Sequence, residues 1–201
     1  MFHLLLAAAV LAGSPSTAPV PADTATFNID KSHSELTFRI RHIMSRVSGT
    51  FTDWKGTITG DPASWSGGSA EIVIQTTSID TRLEKRDTHL RSADFFDAAT
   101  FPQITFRSTS VVVHGKEVTL KGDLTMRGVI RPVTLSGEYL GMAGEGAKQR
   151  VGFHVTGRIN RIDYGVAWNR NLETGEMMLG DDVELDISIE AVRAPRSVTA
   201  S

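Results

Sequence analysis

Apolar and polar residues alternate along most of the chain after residue 26, and this alternation is the pattern of half-buried β-strands. Near the front, Leu36, Phe38 and Ile40 share one face of a predicted strand. Near the end, residues 183–190 place Val, Leu and two Ile on one face, and Glu, Asp, Ser and Glu on the other. One face then lies in the core and the other in solvent, as in antiparallel sheets. With turns between the segments, the pattern predicts about eight to ten short strands, arranged as a sandwich or a barrel.

The alternation changes phase in the middle of one predicted hairpin. Val47, Gly49 and Phe51 belong to one parity, whereas Trp54 and Ile58 belong to the other. An irregularity near residues 52–53 would produce this change, and such bulges bend strands into closed sheets.

Residues 81–98 interrupt the alternation with a helical pattern. Thr81 and Glu84 fit the S/T-x-x-E capping box, in which both side chains bond the free N–H groups of a helix start. The segment predicts a helix of three or four turns, which Phe101-Pro102 would stop because the residue before proline avoids the α region. A single helical insert in an alternating chain indicates a lid or plug on a hollow β-structure.

Length, charge and cysteine content narrow the functional class. The 201 residues suffice for one domain with a real core. The formal net charge of −2 favours neither nucleic acid nor an anionic membrane surface as a partner. The absence of cysteine excludes disulfides, thiolate metal sites and cysteine nucleophiles.

Residues 1–22 differ from the rest of the chain. An apolar run is followed by Ser/Pro/Thr/Ala-rich sequence, and none of these residues carries a formal charge. This is typical of a signal peptide, here with cleavage after Ala22. The run is too short for stable membrane insertion. The prediction is a periplasmic or secreted domain at residues 23–201; the alternative is an uncleaved amphiphilic tail on a cytoplasmic protein.

Five segments resemble a known family. The string TRLEKRDTHLRSADFFDAATFPQITFRS is similar to the signature of the YceI-like family. The other four are IDKSHSELTFRIRHIMSRVSGTFTDWKGTI, GDLTMRGVIRPVTL, INRIDYGVAWN and DDVELDISIEA, and together they span about residues 27–192. The resemblance implies an all-β fold, an extended antiparallel lipocalin-like barrel of about eight strands with one helical insert. It also implies a bacterial protein that binds long polyisoprenoid lipids and is compatible with a homodimer.

Ten residues are candidates for contact with such a lipid. The aromatic ones either fill the core or line a cavity for a hydrocarbon chain. Arg86 and His89 are candidates for a polar rim that binds the head group; the alternative is that Arg86 or Asp87 ties the helix to a strand or loop across the barrel mouth. The Trp168-Asn169 pair is a candidate for the cavity mouth. The full set is Phe38, Phe51, Arg86, His89, Leu90, Phe96, Phe106, Phe153, Trp168 and Asn169.

The string NRIDYG at residues 160–165 resembles a family motif. Gly165 is expected where a side chain would be obstructed. Arg161 and Asp163 are expected to form a structural ion pair.

No pattern predicts catalysis or a metal site. The histidines lack metal-ligand spacing, which leaves only a set assembled from the distant His33, His42 and His89. We therefore expect no catalytic residue, no metal and no cofactor apart from a bound lipid.

The predicted function is an exported protein that sequesters or carries a long-chain isoprenoid, either a polyprenyl phosphate or a prenylated quinone. The first alternative is a stress-protective or interaction protein with a filled barrel. The second, less favoured, is an enzyme that acts on an isoprenoid lipid, with His89 and either Asp87 or another carboxylate as an acid–base pair.

Overall fold

A computed structural model describes residues 24–195, so the predicted signal peptide at residues 1–22 lies outside the described residues. Eleven strand segments dominate this part of the chain. They are β1 (Ala25–Ile29), β2 (Glu35–His42), β3 (Ser45–Phe51), β4 (Trp54–Gly60), β5 (Ser69–Gln75), β6 (Ile79–Asp80), β7 (Gln103–His114), β8 (Glu117–Met126), β9 (Val129–Ala143), β10 (Arg150–Asn160) and β11 (Leu179–Arg193). One α-helix, α1 (Glu84–Arg91), lies between β6 and β7. Short 3₁₀ turns occupy Lys31–His33, Thr76–Ser78, Gly146–Lys148 and Arg161–Tyr164.

The eleven segments form eight barrel strands, because three of the eight are divided in two. The first divided strand consists of β1 and β2, which both pair with β11. The second consists of β3, which pairs with β2, and β4, which pairs with β1. The third consists of β5, which pairs with β4, and β6, which pairs with β3. The ring then continues antiparallel through β7, β8, β9, β10 and β11. The prediction of a closed antiparallel barrel of about eight strands is confirmed.

Each divided strand bends at a place with a local cause. The first bend follows β1, where the Asp30 carboxylate accepts hydrogen bonds from the N–H of Ser32 at 3.1 Å and its Oγ at 2.6 Å. Bonds from Ser32, Arg150 and His33 hold the pKa of this carboxyl well below its usual range. The second bend is the break between Phe51 and Trp54, where the change of phase predicts it. The third contains the buried Thr76, whose Oγ donates to the carbonyl of Phe101 at 2.9 Å.

The helix is shorter than the sequence suggests. It spans eight residues, about two turns, and it ends at Arg91, ten residues before Phe101. The residue at its N-terminal cap is Leu83, and no side chain caps this end. The capping-box prediction for Thr81 was therefore wrong, because Thr81 bonds a different partner, described below.

Two apolar clusters occupy the two ends of the barrel interior. At one end, the Trp65 end, the loop between β4 and β5 folds inward. Trp65 is 3% exposed and packs edge-on against Phe27 and Phe153, with ring centroids 5.3 and 5.4 Å apart. At the other end, the α1 end, Phe95, Ile104, Met126, Tyr164 and Val166 form the second cluster.

Arg161 fixes the loop between β10 and β11 at the α1 end. Only 3% of the residue is exposed, and its guanidinium donates to the carbonyls of Gly180, Val166 and Trp168 at 2.6 to 2.9 Å. Its carboxylate partner is Asp181 at 3.2 Å. Burial lowers the pKa of Arg161, and Asp181 opposes that effect. The expected Arg161–Asp163 pair was wrong, since residues two apart in a tight turn do not face each other.

Gly165 follows directly after this turn and has φ +74°. A Cβ built there meets no atom within 4 Å. Glycine is thus favoured by the left-handed backbone, and not by obstruction as expected.

Replacement of Arg161 tests its structural role. Arg161→Ala should lower the free energy of unfolding by about 3 kcal/mol, since it leaves buried carbonyls without donors. Arg158→Ala is the control: its exposed side chain pairs with Asp182 and Glu184 at 3.5 and 3.8 Å. Its loss should be below about 1 kcal/mol. Urea unfolding followed by circular dichroism measures both, and equal losses would contradict this role.

Candidate functional site

A cavity of about 620 Å³ lies inside the barrel between the two apolar clusters. Its wall contains inward side chains from β2, β5, β7, β8, β10 and β11, and it extends from Trp65 to residues of α1. The volume falls within the usual range of small-molecule pockets, roughly 300–1,000 Å³. The alternating pattern of the sequence therefore encloses a space that its own side chains do not fill.

The burial of inward residues supports this description. Ile72, Leu120 and Leu185 line the cavity and retain accessible surface, although they point into a closed barrel. Leu36 and Ile189 line the same cavity and are less than a tenth exposed. Closure of the barrel therefore does not bury every inward side chain to the same degree.

The wall itself is shaped to keep this space open. Phe38 stands opposite Gly49 on the neighbouring strand, and a Cβ at residue 49 would lie 2.4 Å from the Cζ of Phe38. The far edge of the ring therefore occupies the space that a side chain at residue 49 would take.

Nine of the ten predicted site residues line this single cavity. Phe38, Phe51 and Phe96 form a series of rings from β2 to the segment after α1, with neighbouring centroids 5.9 and 6.1 Å apart. The nine are Phe38, Phe51, Arg86, His89, Leu90, Phe96, Phe106, Phe153 and Trp168. Whether they contact a ligand stays a prediction.

Asn169 is the tenth residue, and it is not part of the cavity wall. Its Nδ2 donates to the carbonyl of Leu179, and its Oδ1 accepts from the N–H groups of Leu179 and Arg170, all at 2.9 Å. These bonds hold the loop that carries Trp168 against the start of β11. Its placement thus gives Asn169 a structural task and gives no support to head-group contact.

A buried carboxylate fastens α1 to the barrel. Asp87 is 3% exposed and accepts hydrogen bonds from the N–H of Thr81 at 2.9 Å and from its Oγ at 2.5 Å. Arg86 donates to the Oγ and the carbonyl of the same Thr81 at 2.6 and 2.7 Å. Of the two interpretations of Arg86, the structural tie is thus present, while the side chain also lines the cavity.

His89 lies at the mouth of the cavity. Its Nε2 is 2.8 Å from the Asp94 carboxylate, and its ring packs edge-on against Phe95 and Trp168, each centroid 5.0 Å away. Asp87 is occupied by Thr81 and is not the partner of His89. Asp87 is therefore excluded as the carboxylate of the predicted pair, whereas Asp94 is another carboxylate of the kind that the prediction allowed.

The ionisable side chains that face the cavity are all basic residues. Within residues 24–195 the ionisable lining residues are His42, Lys85, Arg86, His89 and Arg161, with no Asp or Glu. Arg86 and Arg161 already bond protein carbonyls. Lys85 has no hydrogen-bond or ion-pair partner among the described residues, so its charge is available to a ligand.

The three distant histidines do not come together. His42 and His89 line the cavity, whereas His33 lies at the bend after β1 with Asp30 and Glu190. The ligand atoms of His33, Asp30 and Glu190 are within 4.8 Å of one another. Arg150 donates to both carboxylates, so this cluster already contains a neutralising cation.

Sequence reasoning missed residues at both ends of the cavity. Trp65, which closes one end, was hidden in a segment with the composition of a turn. Its φ of +58° is rare for a bulky residue, and the only available signal was a tryptophan beside Ser-Gly-Gly. Leu83, Lys85 and Met178 at the mouth lie in irregular or helical segments, where strand alternation gives no information.

Comparison with known proteins places these features in a family. The model of the YceI-like domain matches residues 27–191. Protein YceI of Escherichia coli O157:H7 is 41% identical over 177 residues, which cover 86% of this chain and 89% of that protein.

Two solved structures share the fold. Burkholderia cenocepacia BcnA aligns with a TM-score of 0.70 and 25% identity, over 81% of this chain and 99% of that one. A polyisoprenoid binding domain from Saccharophagus degradans aligns with a TM-score of 0.66 and 18% identity, over 85% and 99% of the two chains. With the family model and the Escherichia coli relative, these findings show that this chain belongs to the YceI-like family.

Proposed function

We propose that this protein is an exported carrier or reservoir that holds a long-chain isoprenoid inside its barrel, with the polar head group at the α1 end. The observation that carries the proposal is the cavity of about 620 Å³ with an almost wholly apolar wall. The Saccharophagus degradans domain, a polyisoprenoid binding domain of the same fold, supports this choice of ligand class.

The energetics of the cavity suit a hydrocarbon tail. Burial of apolar carbon contributes roughly 0.8 kcal/mol per CH₂, so one five-carbon isoprene unit contributes roughly 4 kcal/mol. Such binding requires shape and apolarity, and no reactive group. The alternative, a stress-protective or interaction protein, assumes a filled barrel, and this interior contains a cavity.

An anionic head group fits the mouth better than a neutral one. The unpaired Lys85 is the clearest reason, with His42 and His89 on the same wall. No carboxylate among residues 24–195 lines the cavity to repel a phosphate. Of the two predicted ligands, a polyprenyl phosphate is thus favoured over a prenylated quinone.

Filling the cavity tests the proposal. Gently purified protein should contain a long-chain isoprenoid, detected by native mass spectrometry and lipid extraction. The double variant Leu120→Trp/Leu185→Trp should lose most of this lipid, because both side chains line the cavity. Thr134→Trp, an equally bulky change at an exposed position of β9, should retain it. Circular dichroism checks that all three proteins fold. The same lipid content in the filled variant, or no apolar ligand in the native protein, would contradict the proposal.

Replacement of Lys85 tests the head-group assignment. Lys85→Met should weaken binding of a polyprenyl phosphate about fivefold, since an ion pair at an exposed site is worth on the order of 1 kcal/mol. Binding of the corresponding uncharged polyprenol should not change. Lys116→Met, in the hairpin turn at the Trp65 end, is the control and should affect neither ligand. Titration of lipid-free protein with both ligands measures this, and equal losses for both would argue against an ion pair.

The export part of the proposal concerns residues 1–22. Their composition supports cleavage after Ala22, and the mature chain would then begin at Asp23. The intact mass of protein from the native host should therefore correspond to residues 23–201. A mass that includes residues 1–22 in soluble cytoplasmic protein would favour the amphiphilic tail instead.

A further inference from the structure

Exposed apolar side chains gather around the mouth of the cavity. Ile43 and Met44 form the tip of the hairpin between β2 and β3, and they are 39% and 98% exposed. Leu83, just before α1, is 53% exposed, and Met177, just before β11, is 44% exposed. We call these four residues the apolar rim.

The apolar rim belongs to the same structure as the cavity. The N–H of Ile43 donates to the carbonyl of Met178 at 2.8 Å, which ties the hairpin tip to the loop before β11. Leu83 and Met178 both line the cavity. The rim therefore adjoins the opening through which a ligand reaches the barrel interior.

The hairpin that carries this tip is basic. Residues 35–51 contain Arg39, Arg41, His42 and Arg46, and Glu35, at the end of the hairpin far from the tip, is their one acidic residue. Arg46 pairs with Glu184 at 2.8 Å, whereas Arg41 donates only to backbone carbonyls and Arg39 has no described partner. The whole-chain charge of −2 conceals this local excess. Glu173 and Glu176 lie in the loop before β11, and Glu184 of β11 stands opposite Arg39, so the hairpin keeps a small positive excess with Arg41 close to its tip.

We propose that the β2–β3 hairpin docks on an anionic lipid bilayer, with Ile43 and Met44 in the interface and Arg39 and Arg41 at the lipid phosphates. An apolar tip flanked by basic side chains is the arrangement that binds at the boundary of head groups and acyl chains. None of the helical segments within residues 24–195 has the length and apolarity of a membrane span. The proposed contact is with the surface of the bilayer. It turns the cavity mouth toward the lipid phase.

A bilayer suits this surface better than another protein does. A stable dimer buries roughly 800 Å² on each partner, and four partly exposed side chains cannot supply that area. A narrow, protruding tip also has little flat surface for a protein to cover. The charge pattern supplies the second requirement, since anionic lipids attract unpaired guanidinium groups.

Vesicle flotation with the mature protein tests the proposal. Wild-type protein should float with vesicles of equimolar phosphatidylcholine and phosphatidylglycerol, and added salt should weaken this binding. Ile43→Asn/Met44→Ser should reduce it roughly tenfold through loss of apolar contact. Asn is chosen at residue 43 because φ there is +53°, a region that Asn tolerates.

Arg39→Gln/Arg41→Gln should reduce binding to the anionic vesicles and not to pure phosphatidylcholine. Leu140→Ser is the control and should bind as wild type does, since Leu140 is apolar and 58% exposed but lies near the Trp65 end of β9.

The outcomes separate docking from ligand binding. The docking inference builds on the proposed function for its purpose, so cavity lipid is measured in every preparation. Hairpin variants that keep their isoprenoid and lose vesicle binding support the inference. Wild-type protein that holds isoprenoid and ignores anionic vesicles overturns docking alone. A dimer in gel filtration that Met44→Ser dissociates, without vesicle binding by wild type, would assign the rim to a second copy.

Discussion

The structure depends on a closed sheet whose apolar inward side chains do not fill the barrel interior. Closure pairs the backbone of every neighbouring strand, which leaves no long edge for association with another chain. It also surrounds a hydrophobic space that must be shielded from water at both ends. The two ends are shielded in different ways, so the barrel has one closed end and one end with the cavity mouth.

At the Trp65 end the shield is aromatic packing. Trp65 has a left-handed backbone conformation that a bulky residue adopts only under constraint. The backbone N–H of Trp65 donates to the carbonyl of Asp61 at 2.7 Å. The Ser66 hydroxyl donates to the carbonyl of Val113 and accepts from its N–H, so the loop is held on two sides. This end is thus firmly closed.

At the α1 end a two-turn helix, too short to be stable alone, is held by Asp87, Arg86 and Arg91 through hydrogen bonds.

The sequence predicts the parts of this arrangement that follow a regular period. Alternation identifies β2, β10 and β11 and the inward placement of Phe38, Phe153 and Leu185, because the period of a strand fixes which face each residue occupies. It cannot decide whether inward side chains meet, since that depends on barrel diameter and on pairs such as Phe38 with Gly49. The choice of a barrel over a sandwich came from the family resemblance.

Local motifs were the least reliable guide. Thr81 and Glu84 have the spacing of a capping box, yet Thr81 bonds Asp87, which the fold buries beside it. Arg161 lies two residues from Asp163 but finds Asp181 after a loop returns to the same end of the barrel. In both cases a short-range pattern competes with a partner that only tertiary structure supplies. A buried ion or hydroxyl takes the partner that satisfies it in the fold, and not the nearest one in the sequence.

The relative size of two contributions explains how such a site would divide its tasks. Each isoprene unit in the cavity contributes roughly 4 kcal/mol, whereas one ion pair at the exposed mouth contributes on the order of 1 kcal/mol. Affinity is then set by how much tail the cavity accepts, and the basic mouth sets which end of the lipid points outward. A tail can leave only if another apolar phase replaces the lost burial, because transfer into water forfeits the whole contribution. In the proposed function the cavity would therefore exchange its contents at an apolar surface, which is why the position of the apolar rim beside the mouth matters.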